Sequence, residues 1–200
     1  MSKFLFAPFM MNLGESQRLS KLAEHLYQKG HEIHVIGESY YTFIFDNAAY
    51  TWHHCPADSE IYNQERYDSF FSLSTDFNFL TKQEIETVCD FERELLRQEN
   101  FDAVVTGYRL SIITSCRLEN TALIWIISGA THISEIVENS EGLFSNNKYF
   151  QSNRRRSKLN HQQMKKTVEK MITSYSSNVS TWNNYLKKNG GLLFNNALEL

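Results

Sequence analysis

Apolar and polar positions follow two different periodicities over the first 37 residues. Lys3 to Phe9 reads KFLFAPF, a short apolar run typical of a strand buried on both faces. Four apolar residues then recur at helical spacing: Leu19, Leu22, Ala23 and Leu26. Lys29-Gly30 supplies the cation and glycine that often end a helix, and Glu32 to Ile36 has enough β-branched residues for a second strand. The pattern predicts strand, turn, helix and strand, the opening unit of a parallel sheet.

Thr51 to His54 is predicted to be a third, shorter strand, and strand and helix periodicities alternate again after it. Ala57 to Asn78 is polar and aromatic, which predicts a long connection that either tucks its rings onto the core or forms a binding wall or lid. Thr81 and Glu84 have the spacing of a capping box, and the apolar stripe that follows predicts a helix to about Gln98.

Two further strands and a helix complete the predicted core. Phe101 to Thr106 and Ala122 to Ile127 read as strands, and Leu110 to Leu118 reads as the helix between them. The fold class is therefore α/β, with a Rossmann-like, doubly wound parallel sheet. We expect residues 1–145 to form this core and residues 146–200 to form a helical extension that packs on it, with its main helix in Asn160 to Lys188.

Composition narrows the class of protein. Two hundred residues with 42% hydrophobic content suit one globular domain, and a formal charge of -3 argues against a nucleic-acid partner. The three cysteines are far apart and predict reduced thiols. No apolar run is long enough for a signal peptide or a spanning helix, so we expect a cytoplasmic protein, for which peripheral membrane contact stays open.

Candidate chemistry lies where the parallel strands end, because ligands bind at the carboxyl ends of strands in such sheets. The turn from Asn12 to Ser16 follows the first strand, Gly107 to Arg109 follows the fourth, and Ser128 follows the fifth. No GxGxxG motif is present, which argues against a nicotinamide or flavin cofactor, and we expect none. His53, His54 and His132 come at strand ends, but no histidine has the spacing of a metal site.

Three segments resemble the amino-terminal half of GT-B glycosyltransferases. Gly14 to Arg18 and Lys29 to Ile33 are similar to that family's GHxxP or GHxxR turn and its RGHEV element. Asp102 to Ser111, followed by Ser115 to Leu118 and the next strand, is similar to its DLVV.DFRLS segment. Asn184 to Gly191 is a weaker match to the helix before its lGL turn. The resemblance follows nearly the whole chain in order.

The resemblance implies an acceptor-side domain, with a nucleotide-sugar bound by a second domain or a separate chain. In the family, a histidine in the first turn takes the proton of the acceptor hydroxyl, and an aspartate after the fourth strand orients it. Glu15 and Gly107 stand at those two positions here. Glu15 is thus a candidate catalytic base, although it could also stabilise the helix start or contact a ligand. His31, in the RGHEV-like element, is expected to be structural.

The expected function is transfer of a hexose to the hydroxyl of a small molecule or lipid. Besides Glu15, candidate substrate-binding residues are Asn12, Gly14, Ser16, Gly107, Arg109, Ser128 and His132. Arg109 alternatively forms a surface salt bridge. Two alternatives stay open. One is a non-catalytic, degenerate binding or scaffold subunit that docks through Trp182 to Leu200 on a catalytic chain, and the other, weaker one is a flavodoxin-like regulator. Homo- and hetero-oligomers are both compatible with the sequence.

Overall fold

Five parallel strands form one sheet in the computed structural model, which describes residues 1–9, 12–38, 41–63, 65–66, 80–126 and 180–194. The strands are β1 (Lys3–Ala7), β2 (Glu32–Ile36), β3 (Thr51–His53), β4 (Ala103–Thr106) and β5 (Leu123–Trp125). Their spatial order is β3-β2-β1-β4-β5, and all four pairings are parallel. This is the strand order of a Rossmann-like fold, so the predicted fold class is confirmed.

Strand β1 lies at the centre, where it pairs with both β2 and β4. Phe4 is in register with Ile33 on one side and Ala103 on the other. The chain reverses direction across the sheet at β1, since β2 and β3 extend to one side and β4 and β5 to the other. The β1–β4 boundary is therefore the topological switch point, where α/β sheets of this kind open a ligand crevice.

Helices cover both faces of the sheet. They are α1 (Leu13–Gln28), α2 (Pro56–Ile61), α3 (Lys82–Glu99), α4 (Leu110–Glu119) and α5 (180–188), with a 3₁₀ turn at Thr42–Phe45. Phe6, Val35 and Val105 pack with Leu19 and Ala23 of α1 on one face. On the other face, Leu5, Ala7, Ile36 and Val104 pack with α3, α4 and α5. Burial of alternate strand residues on opposite faces explains why β1 reads as a continuous apolar run.

The predicted start of α3 is confirmed. Thr81 is the N-cap, its side chain accepts a hydrogen bond from Glu84 N, and the Glu84 carboxylate accepts one from Thr81 N at 2.6 Å. Six side chains of its stripe are buried: Ile85, Val88, Cys89, Glu92, Leu95 and Leu96. Gly30, with φ of 84°, ends the α1 region as the sequence predicts.

Two features differ from the sequence prediction. A short helix, α2, occupies the start of the segment predicted to be a long connection, because Pro56 begins it and Asp58 is drawn into the interior by an ion pair with Arg109. The aromatic residues of that connection from Tyr67 to Phe79 lie outside the described residues. Strand β5 is shorter than predicted, and Ile124 and Trp125 are exposed.

The last described helix packs on the sheet's own helices. Trp182, Tyr185 and Leu186 of α5 are buried in the larger apolar core, and the Tyr185 hydroxyl donates to Asp90 of α3 at 2.7 Å. These side chains are therefore not available as the docking surface that the scaffold alternative expects. None of the helices in the described ranges has the length and apolar content needed to cross a bilayer.

The capping box gives a direct stability prediction. Thr81→Ala removes the acceptor for Glu84 N, so the free energy of unfolding, measured by urea titration, is expected to fall by about 1 kcal/mol. Thr87→Ala is the matched control, because Thr87 is an exposed threonine of the same helix that bonds only the carbonyl of Gln83 among its described partners. Equal losses in the two variants would contradict the capping role.

Candidate functional site

The turn between β1 and α1 is held by its own side chains. Asn12 is the N-cap of α1, and its Oδ1 accepts a hydrogen bond from Glu15 N at 3.1 Å. Asn12 N in turn donates to Phe9 O at 2.8 Å. The predicted turn from Asn12 to Ser16 is thus the start of α1, in which Asn12 is the cap and Gly14 lies in the first helical turn.

Glu15 bridges the two sides of the switch point. Its side chain is fully buried, and its Oε1 accepts hydrogen bonds from Phe9 N at 2.9 Å and Gly107 N at 3.2 Å. Phe9 follows β1 and Gly107 follows β4, so one carboxylate joins the carboxyl ends of neighbouring strands. The structure therefore brings together the two positions at which this chain departs from the glycosyltransferase pattern.

Gly107 leaves the space that Glu15 fills. A Cβ placed on Gly107 would lie 2.6 Å from Glu15 Cδ and 2.7 Å from Oε1, closer than non-bonded atoms approach. A side chain at position 107 and the observed Glu15 rotamer are therefore mutually exclusive. The resemblance in sequence already related the two positions through their roles, and the packing shows that their side chains also share one volume.

Burial controls the protonation of Glu15. It raises the pKa of the carboxyl to about 7, while the backbone N–H groups of Phe9, Tyr108 and Gly107 and the charge of Arg18 act in the opposite direction. Glu15 consequently changes charge near neutral pH, unlike an ordinary glutamate at a helix start.

Two buried oxygens beside this bridge are unsatisfied. Within the described part of the chain, Glu15 Oε2 and Ser16 Oγ have no hydrogen-bond partner, and both residues are fully buried. Buried polar atoms are nearly always paired, and leaving one unpaired costs about 1–3 kcal/mol. Ser16 thus lies in the first turn of α1 with unused hydrogen-bonding capacity, and its role in substrate binding stays a prediction.

Arg109 faces the interior instead of a cleft or the surface. Its guanidinium is 1% exposed, with Nη1 2.7 Å and Nη2 3.0 Å from the two carboxylate oxygens of Asp58. Its Nε donates to Glu92 Oε1 at 2.8 Å. Substrate binding by Arg109 stays a prediction, but the position expected from the sequence is wrong, because two buried carboxylates compensate the charge inside the fold.

Sequence reasoning missed three residues around the switch point. Asp58 and Glu92 hold Arg109, and Trp125 Nε1 donates to Gly107 O at 2.6 Å. Glu92 had a detectable signal, because it is a charged residue within the apolar stripe of α3. No signal in the sequence marked Asp58 or Trp125, since their partners are far away along the chain.

The other candidate residues lie apart from the switch point or outside the description. His31 Nδ1 accepts from Ser2 N at 3.2 Å, at the amino end of the sheet. His53 contacts His34, whereas His54 is exposed. Ser128 and His132 lie outside the described residues. Across the described ranges, no group of three or more His, Cys, Asp or Glu side chains is arranged to hold a metal ion.

The chain has similar solved structures but no match in sequence. No protein-family model matches the chain, and no curated protein matches it in sequence. Among solved structures, the chain is similar to the crystal structure of CalG4, the calicheamicin glycosyltransferase, with 15% identity and a TM-score of 0.47. The similarity covers 95% of this chain and 43% of CalG4, so the chain spans less than half of that protein. The Rossmann-like class rests on the strand order itself.

The steric relation between Glu15 and Gly107 can be tested by a double-mutant cycle. Gly107→Ala should lower the free energy of unfolding by about 1–3 kcal/mol through overpacking, and most of that loss should disappear in a Glu15→Ala background. Gly14→Ala is the control, because its new Cβ would meet nothing nearer than 3.6 Å. Additive effects of the two substitutions would contradict the shared space.

The protonation of Glu15 predicts a specific pH dependence of stability. The folded carboxyl holds its proton to a higher pH than the unfolded one, so stability is lost as pH rises from 4.5 through about 7. Urea titrations of wild type and Glu15→Gln should therefore diverge over this range, with the wild type losing up to about 3 kcal/mol more than the variant. If the stabilities of the two proteins changed in parallel with pH, Glu15 would have an ordinary pKa and the prediction would be wrong.

Proposed function

We propose that this chain is the acceptor-side domain of a nucleotide-sugar-dependent glycosyltransferase whose acceptor hydroxyl binds at the β1–β4 switch point. The observation that carries the proposal is the pair of unsatisfied buried oxygens, Glu15 Oε2 and Ser16 Oγ. A hydroxyl group offers one donor and two acceptor sites, so an acceptor hydroxyl can donate to a carboxylate oxygen and accept from a serine hydroxyl. The three segments that resemble GT-B enzymes support the same reading.

The chemistry assigned to Glu15 is proton acceptance. A carboxylate with a pKa of about 7 is better matched to a general base at neutral pH than an ordinary glutamate is. The proposal requires the turn to open and admit the acceptor; Oε2 then takes the acceptor hydroxyl proton while the hydroxyl oxygen bonds to the anomeric carbon of the sugar. The bond from that carbon to the phosphate oxygen breaks, and the nucleoside diphosphate leaves with the electron pair. The nucleotide-sugar is brought by a second domain or chain.

A second candidate function is a non-catalytic binding subunit that keeps the fold. The observation that favours it is the complete burial of Glu15, whose Oε1 accepts from two backbone N–H groups. A carboxylate held in this way does not reach an acceptor unless the turn opens. Under this alternative, the acceptor or the catalytic partner binds, but the chain contributes no base.

The test separates binding from catalysis. The full chain is incubated with UDP-, TDP- and GDP-hexoses and a panel of hydroxylated small molecules and lipids, with and without an extract of its source organism, and glycosylated products are measured by mass spectrometry. Glu15→Gln should lower kcat by about 100-fold or more with KM little changed, as expected for loss of a general base. Glu24→Gln is the matched control, because Glu24 is an exposed glutamate of the same helix.

Acceptor binding is followed in parallel by amide NMR shifts of residues 12–16 and 107–109. Binding at these amides without transfer in any mixture would favour the non-catalytic subunit. Transfer that survives Glu15→Gln at full rate would remove the base assignment. An acceptor panel that shifts none of these amides and yields no product would overturn the proposal as a whole.

A further inference from the structure

Two histidine rings meet at the edge of the sheet remote from the switch point. His34 Nδ1 lies 2.7 Å from His53 Nε2, and the two rings are nearly parallel, with centroids 5.0 Å apart. His34 is on β2 and His53 on the neighbouring edge strand β3, in register with Ile36. His34 is 3% exposed and His53 is half-buried, so the contact is partly shielded from solvent.

The second nitrogen of His34 is also occupied. His34 Nε2 lies 2.6 Å from Glu32 Oε1, which can only accept a hydrogen bond when ionised. His34 Nε2 therefore carries a hydrogen, and the gap between His34 Nδ1 and His53 Nε2 holds one more. With both rings neutral, His53 donates into that gap, and with one ring protonated, either histidine can donate. With both rings protonated, two N–H groups would point at each other across 2.7 Å.

The groups around the two rings do not offset the repulsion that arises when both rings are protonated. The charged and titratable groups that face the pair are Lys3 of β1, Glu32 of β2, His54 of β3 and Glu99 of α3. Lys3 forms an ion pair with Glu99, so their charges largely compensate each other. The Phe101 ring packs edge-on against both imidazoles, with ring centroids 5.1 and 6.2 Å away, and offers no charge to offset a second proton.

Strand β3 connects this pair to the ligand-facing side of the sheet. After His53, only His54 and Cys55 precede α2. Asp58 of α2 accepts hydrogen bonds from Arg109 and from Glu38 N, which follows β2. A change that releases β3 from β2 would therefore alter the edge of the sheet that leads into α2, whereas α2 has these bonds of its own to the carboxyl ends of β2 and β4.

We propose that the His34–His53 pair is an acid-sensitive latch, which holds β3 against β2 while the pair carries at most one extra proton and releases β3 when both imidazoles are protonated. The latch does not depend on any assignment of catalysis. It makes the pairing of the edge strand β3 responsive to mild acid.

The sign of the effect follows from the protonation of His53. Burial, and then the neighbouring His34, lower the pKa of His53 below its ordinary value of 6.5. The unfolded or opened state therefore binds more protons than the closed state once pH falls below about 6.5. Closure is consequently favoured at neutral pH and weakens progressively as the solution is acidified.

The latch is tested by hydrogen exchange and ring-nitrogen NMR on the full chain. Exchange of the β3 amides, corrected for intrinsic rates, should be about tenfold faster near pH 5.5 than near pH 7.5, a shift of about one proton-binding step. His53→Gln keeps an N–H donor toward His34 but cannot titrate, so its corrected exchange should be flat over this range. His54→Gln, at an exposed imidazole of the same segment, should behave like the wild type.

Ring-nitrogen spectra of the wild type give a readout that needs no variant. Opening should coincide with the appearance of the second imidazolium. The proposal is overturned if both rings become doubly protonated while β3 stays protected. It is equally overturned if His53→Gln loses protection in acid as strongly as the wild type. Should that variant not fold, the ring-nitrogen titration alone decides between these outcomes.

Discussion

The buried guanidinium of Arg109 is the interaction on which the arrangement of helices over the sheet depends. It lies at the end of β4 and pairs with Asp58 of α2 and Glu92 of α3. The hydroxyls of Ser111 and Ser115 donate to the same Glu92 carboxylate at 2.7 Å each. A buried charge is tolerated only when its partners and their remaining lone pairs are satisfied. Here Arg109, its two carboxylate partners and the two serines of α4 connect three helices: α2, α3 and α4. The apolar core fills the space between these elements.

Two glutamates among the described residues are fully buried, and they differ in how completely their oxygens are hydrogen-bonded. Both carboxylate oxygens of Glu92 accept hydrogen bonds, and its role is architectural. Glu15 accepts through one oxygen alone, and the other is unpaired within the described part of the chain. Burial of an unpaired carboxylate oxygen costs stability, and the proposed acceptor would supply the missing partner.

Local signals in the sequence predicted the elements, and long-range packing decided the site. The capping box at Thr81 and the second strand at Glu32–Ile36 were found because their determinants lie within a few residues. Asp58 and Arg109, by contrast, are 51 residues apart, and nothing near Asp58 announces its partner. The sequence also placed Glu15 and Gly107 at related positions by resemblance to known enzymes. That their atoms compete for one volume required the three-dimensional arrangement.

The shared volume of Glu15 and Gly107 restricts the routes by which this turn can change in evolution. In the observed Glu15 rotamer the carboxylate would overlap any side chain at position 107, so a glutamate at position 15 fits in this way only beside a glycine. The variant with glycine at 107 and no glutamate at 15 has neither the overlap nor the bridge. Single substitutions that pass through that variant avoid overpacking in both directions, whereas the other order passes through the crowded pair. The two positions are therefore expected to change in a set order and not independently.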